Sequence, residues 1–152
     1  MELVFPFDIT CESGEYVVTF PDVPEAITGA DTEEEAIALA GDALIAALDV
    51  YISDRLDIPK PSPRNPTQYS AVISPLHAAK ISLYIAMREE GLSMVGLANQ
   101  LSVDEKAVRR MLDLDYVTKI ESIHKALQSV FANRYRLVTS LESVGRGALM
   151  SQ

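Results

Sequence analysis

The chain has 152 residues, 48% of them hydrophobic, and a formal net charge of −9. That hydrophobic share is enough to build a core and excludes disorder as the default, and the length admits one medium domain or two small ones. One cysteine, Cys11, excludes an internal disulfide framework and a cysteine-based zinc cage within a single chain.

Charge is unevenly spread. Residues 1–68 hold fourteen Asp/Glu against three Lys/Arg, a net of −11, whereas residues 69–152 hold eight acids and ten bases, a net of +2. The change of character falls at Ile58–Pro66, where four of the eight prolines stand within nine residues. Each proline fixes φ and pushes its predecessor out of the α region, so this stretch is semi-extended and separates two small units. A surface dense in carboxylates suits a basic partner, and a helical unit with clustered Arg and Lys suits nucleic acid. The opening Met-Glu-Leu-Val-Phe-Pro-Phe-Asp lacks the features of a signal peptide. The most apolar run, Ala36–Leu48, is interrupted by Asp42 and falls short of the roughly 18 residues a spanning helix needs. A soluble cytoplasmic protein without a membrane partner is expected.

In chain order, Leu3, Phe5, Phe7 and Ile9 alternate as in a half-buried strand. Pro6 cannot donate to a ladder, which predicts an edge strand or a bulge there. Cys11–Glu15 reads as a hairpin loop, with Gly14 free to take positive φ, and Tyr16–Phe20 as the returning strand. Pro21-Asp-Val-Pro24 stops that strand, and Ala26–Ala30 is a short third strand. Thr32-Glu-Glu-Glu35 is a capping box that opens a helix with an apolar stripe of Ile37, Ala40, Leu44, Ala47 or Leu48, and Tyr51. Tyr69–Ile73 is one more strand, which completes the front sheet and lays the prolines on its surface.

Helices follow. Ser74-Pro75 starts one with the stripe Leu76, Ala79, Leu83 and Met87, and Gly91 stops it. Ser93 caps Met94–Leu101, and after a three-residue break Asp104 caps Glu105–Leu112. Thr118-Lys-Ile-Glu121 is a second capping box, with the stripe Ile120, Ile123, Leu127, and Val130 or Phe131. A last helix from Arg134 is expected, with frayed ends at Gly145 and Gly147.

The pair of short helices resembles a helix-turn-helix of the Cro/repressor type. The matching residues are Leu97-Ala98, the break Leu101-Ser-Val103, and Val108 with Met111 and Leu112. Such a motif presents the outer face of its second helix to the major groove. The DNA-binding candidates are therefore Ser93, Asp104, Glu105, Lys106, Arg109 and Arg110, with Arg for guanine and Lys for phosphate. Glu105 opposes phosphate unless it reads a cytosine amino group. The plain alternative is a helical bundle used for dimerisation.

Other chemistry is sparse. Asp8 and Asp22 are the acids near the strands that a metal-dependent nuclease would use, and surface or turn roles explain them equally well. No metal ligand set is expected: His77 and His124 lie on separate helices and read as ordinary surface or core residues. No base can be placed beside Cys11, and there is no glycine-rich phosphate loop. No catalytic residue and no cofactor is expected.

Taken together, the chain resembles the HicB-family antitoxins that carry a C-terminal helix-turn-helix. The resemblance is carried by Gly14-Glu-Tyr-Val-Val-Thr-Phe-Pro-Asp-Val-Pro24, by Thr28-Gly-Ala-Asp-Thr-Glu-Glu-Glu-Ala-Ile37, by Asp42-Ala-Leu44 and by Pro59-Lys-Pro-Ser-Pro63. In the second half it runs through Leu83–Arg88 and Gly91–Leu127. It departs at Glu25-Ala26, where the family usually has Gly-Cys. The resemblance implies an α+β protein: a β-β-β-α-β partial ribonuclease-H-like domain over 1–73, with 58–68 as a proline-rich surface linker, then an all-α helix-turn-helix domain over 74–152 for DNA binding and dimerisation. It further implies binding of HicA, a small basic mRNA-degrading toxin, repression of the operon through operator double-stranded DNA, and a homodimer or tetramer. The front-unit acids put forward for toxin contact are Asp22, Glu25, Glu33 and Glu34, none of them carried over from a family motif. The competing reading is a solitary helix-turn-helix regulator whose acidic front domain binds a ligand or protein. A short basic reading frame next to the gene separates the two.

Overall fold

The computed structural model describes residues 3–132. The expected last helix from Arg134, with Gly145 and Gly147, lies outside the described residues. The chain divides into two compact units: residues 3–78 with the segment Asp113–Asp115, and Ala79–Leu112 with residues 116–132.

In the first unit the order is β1 (Val4–Glu12), β2 (Glu15–Thr19), β3 (Ile27–Ala30), α1 (Glu33–Ser53) and β4 (Tyr69–Val72). The sheet order is β3-β2-β1-β4, with every pair antiparallel. β1 and β2 meet through a two-residue turn in which Ser13 and Gly14 both have positive φ, 51° and 82°. That is the primed geometry whose twist matches the flanking strands.

β1 is not an edge strand. Residues 8–12 pair with β2 and residues 4–7 pair with β4, so each half of β1 has one partner. Pro6 falls in the half that pairs only with β4, which is how a residue without an N–H sits in a central strand. Alternation sends Phe5, Phe7 and Val18 to the face covered by α1, where they are buried with Phe20. Phe7 contacts Phe20 and Tyr69, with ring centroids 5.3 Å apart in both pairs.

α1 opens as the capping box requires, with Thr32 Oγ1 accepting from the Glu35 amide at 3.1 Å. It runs through Asp42 for 21 residues, and by length and composition alone it could cross a membrane. Its buried residues are Ala36, Ala40, Leu44, Ala47 and Leu48. Ile37, expected in that stripe, is exposed, and Ala36 takes its place. A methyl at the first buried position lets the helix lie close on the sheet, which turns the larger side chain outward.

The proline stretch after α1 is tied to the sheet. Ser62 donates to Asp22 through its amide at 2.8 Å and its hydroxyl at 2.5 Å. Gln68 Nε2 donates to Asp8 at 3.2 Å. Val4, Pro6, Ser70 and Pro61–Arg64 line a cavity of about 320 Å³ between segment and strands.

The second unit is helical. It holds α2 (Pro75–Glu89) from Ala79 onward, α3 (Met94–Leu101), α4 (Glu105–Leu112) and a helix over 120–132 (α5). Ser74 Oγ accepts from the His77 amide at 3.3 Å at the start of α2, and Gly91, at φ 62°, ends it. The core combines Ile81, Leu83, Met87, Leu97, Val108 and Ile123 with smaller neighbours. The second capping box does not form: α5 begins at 120, and Thr118 Oγ1 donates instead to the Arg110 carbonyl at 3.3 Å.

Between α3 and α4 the backbone turns at Ser102, which is left-handed at φ 55°, ψ 42°. A Cβ in that region costs roughly 1–2 kcal/mol. Ser102→Gly is expected to raise stability by about 0.5–1 kcal/mol, read as a higher urea midpoint, because relief of strain exceeds the added freedom of the unfolded chain. A lower midpoint would contradict this reading of the turn.

Candidate functional site

The front-unit acids cluster around two connections. Asp22 and Glu25 stand in the turn between β2 and β3, and Glu33 and Glu34 in the first turn of α1. Asp22 is held by Ser62, as above. Glu25 Oε2 accepts from the Tyr51 hydroxyl at 2.7 Å, which ties the turn to the last part of α1. Glu33 accepts from the Tyr69 hydroxyl, which ties the start of α1 to β4. Glu34 is exposed. The donors to Asp22, Glu25 and Glu33 are hydroxyls and an amide, all neutral. These contacts orient the carboxylates without cancelling their charge, as an acidic docking surface requires.

The phenols report the same geometry. The hydrogen bond to Glu25 raises the Tyr51 pKa above 10.0, with burial and the carboxylate charge adding to it. Glu33 does the same to Tyr69. The neutral phenol is the donor, so each bond is intact below the ordinary phenol value and is lost as pH rises through the raised one. Glu33→Gln is expected to bring the Tyr69 ionisation back toward 10.0 in an ultraviolet tyrosinate titration. An unchanged titration would remove this contact from the site.

Asp8 and Asp22, the pair weighed for metal-dependent cleavage, bond to Gln68 and Ser62 respectively. The described residues do hold one trio of converging carboxylates, Asp49, Asp113 and Asp115, with one oxygen from each lying within 4.8 Å of the others. Two of them have turn-forming roles. Asp49 accepts from the Leu114 amide at 3.2 Å, and Asp113 from the Asp115 amide at 2.9 Å. Leu114 is buried in this unit, and His77 Nε2 donates to its carbonyl at 3.0 Å, which fixes a proton on that nitrogen. His124 and Cys11 are exposed.

In the second unit, α3 and α4 are joined by three residues. Ser93 Oγ accepts from the Gly96 amide at 3.0 Å, and Asp104 Oδ1 from the Ala107 amide at 2.9 Å, so both serve as helix caps. Leu97, Ala98, Val108, Met111 and Leu112 are buried. Val103, expected against α3, is instead 39% exposed. Its amide is directed to the Ala98 carbonyl at 3.0 Å by the left-handed turn, and its side chain stays at the margin.

The outward face of α4 carries Lys106, Arg109 and Arg110, all exposed, at spacings of three and four. Arg109 Nη2 pairs with Glu105 at 3.0 Å. The Arg110 guanidinium lies 5.2 Å from the Tyr116 ring centroid. Beneath this face is a residue that sequence reasoning missed. Lys80 is fully buried, and its Nζ donates to the Arg110 carbonyl at 3.0 Å and to the Tyr116 carbonyl. The same ammonium lies 5.9 Å from the Tyr116 ring. A cation at the C-terminal turn of α4 meets the negative end of the helix dipole. A signal was present: position 80 stands four after Leu76 and three before Leu83, on the apolar stripe of α2.

Residues 5–82 match a family model described as HicB_like antitoxin of bacterial toxin-antitoxin system. Antitoxin HicB 1 of Photorhabdus laumondii is 37% identical over 131 residues, covering 86% of this chain and 81% of its own. Antitoxin HicB 2 of the same organism is 37% identical over 126 residues, covering 83% and 89%. Antitoxin HicB of Escherichia coli K12 is 32% identical over 127 residues, covering 83% and 92%.

Proposed function

Because the chain belongs to the HicB-like antitoxin family, we propose that it neutralises a HicA-type toxin with its front unit and represses its own operon with its rear unit. The observation that carries the first half is the acidic surface. Residues 1–68 have a net charge of −11, and Asp22, Glu25 and Glu33 are oriented by neutral donors. A toxin that cleaves mRNA must attract RNA, so its binding surface is basic, and an ordered array of carboxylates competes with phosphate for it. In this reading the front sheet is a partial ribonuclease-H-like fold used for binding, with no catalytic role for Asp8 or Asp22. The rear unit acts as a helix-turn-helix, with Lys106, Arg109 and Arg110 facing the operator and Ser93 and Asp104 fixing the helix starts. A homodimer or tetramer multiplies the phosphate contacts, which residues 69–152, of net charge +2, need. The protein works in the cytoplasm, where toxin, mRNA and operator meet.

The test is co-expression of the full chain with the protein encoded in the adjacent short reading frame. A stable complex and arrest of mRNA cleavage are expected. Replacing Asp22, Glu25, Glu33 and Glu34 by their amides is expected to weaken the complex about tenfold or more and to flatten its salt dependence. Unchanged affinity would remove these acids from the interface. A gel shift on the DNA upstream of the gene tests the second half, and no shift at low salt would rule it out.

A further inference from the structure

α1 is more apolar on its outer side than its packing requires. A surface helix usually shows polar residues away from its buried stripe. Here Ile37 and Val50 are 42% and 55% exposed, Ala38 and Ala46 are exposed, and Ile45 is half-buried. Ile37, Gly41 and Ile45 follow one another at intervals of four and so form one row. Gly41 leaves a notch between the two isoleucines, and a Cβ built there would meet nothing within 4 Å. Glycine inside a helix costs about 1 kcal/mol relative to alanine, and no packing within the fold requires it at this position. Glu34 and Asp42, both exposed, border the row.

We propose that this row seats the basic toxin: an apolar toxin side chain enters the notch at Gly41 while basic groups around it meet Glu34 and Asp42. The inference rests on the antitoxin reading above and adds an apolar centre to its acidic surface. Charge selects the occupant. A second copy would bring together two stretches 1–68 of net −11 each, and an anionic membrane would be repelled in the same way. A basic protein has the opposite sign and supplies the apolar contact that charge alone does not.

The test is titration of the purified adjacent-frame protein into the full chain as wild type, Gly41→Leu and Ile37→Ser. Leucine at 41 fills open space and favours helix, so its thermal midpoint is expected to equal or exceed that of wild type. Toxin affinity is expected to fall about thirtyfold or more for Gly41→Leu, and about fivefold or more for Ile37→Ser. If wild type binds and both variants bind within twofold of it, this face is not the seat, although the antitoxin reading stands. A changed oligomeric mass with unchanged toxin affinity would assign the row to a second copy and overturn the proposal. Absence of binding by wild type would overturn the antitoxin reading and this inference with it.

Discussion

Lys80→Met is expected to destabilise the rear unit by about 2–4 kcal/mol. The side chains are similar in length, so the substitution mainly removes the ammonium. The carbonyls of Arg110 and Tyr116 then lose a charged donor, and the C-terminal turn of α4 loses the cation at its negative end. Hydrogen bonds to charged groups contribute roughly 1.5–3 kcal/mol each, and the Thr118 hydroxyl that also donates to the Arg110 carbonyl is neutral and does not replace the cation. Hydrogen exchange of the α4 amides reads this unit separately from the front sheet. Protection reduced by less than tenfold, which corresponds to about 1.4 kcal/mol, would mean that Lys80 does not hold the helix. Because Arg110 and Tyr116 move with that turn, operator binding should fall in the same variant.

The second large effect concerns the face of α4. Arg109→Ala is expected to weaken operator binding by about 1–3 kcal/mol, and the double variant with Arg110→Ala by roughly twice that. Glu105→Ala is expected to act in the opposite direction. In the free protein Glu105 holds Arg109 at 3.0 Å, and both side chains are largely exposed, so the pair adds little to stability. Removing the carboxylate frees Arg109 and takes a like charge away from phosphate, so tighter binding is the expected outcome. Weaker binding by Glu105→Ala at fixed salt would instead place Glu105 against a cytosine amino group. If Arg109→Ala left the gel-shift midpoint unchanged, this face would not be the one that meets DNA.

What was legible in the sequence is local. Thr32, Ser93 and Asp104 announce their helices because a cap depends on residues three apart. Gly14 announces the hairpin for the same reason, although the loop expected over Cys11–Glu15 is shorter, with Cys11, Glu12 and Glu15 paired in the ladder. Positions decided by distant partners read differently in the sequence and in the fold. Ile37 reads as buried by period, yet the sheet accepts the methyl of Ala36 instead. Thr118 reads as a cap, yet its hydroxyl goes to Arg110. Tyr51 and Tyr69 carry no signal that they orient Glu25 and Glu33, since each partner lies many residues away. Lysine is ordinarily exposed, so the burial of Lys80 is marked only by its place on the α2 stripe.

The short segment Asp113–Asp115 follows α4 directly in the chain and yet belongs to the front unit, where Leu114 is buried and its amide and carbonyl bond to Asp49 and His77. The two units are therefore not beads that can be cut apart at one point. An evolutionary exchange of rear modules by a single crossover after the front sheet also replaces this segment of the front unit. The incoming module must bring back a leucine just beyond its equivalent of α4, or the front unit loses a buried side chain and the backbone bonds to Asp49 and His77 that come with it. Shuffling between such genes should therefore leave a trace, with residues 49, 77 and 114 inherited as a set across the junction.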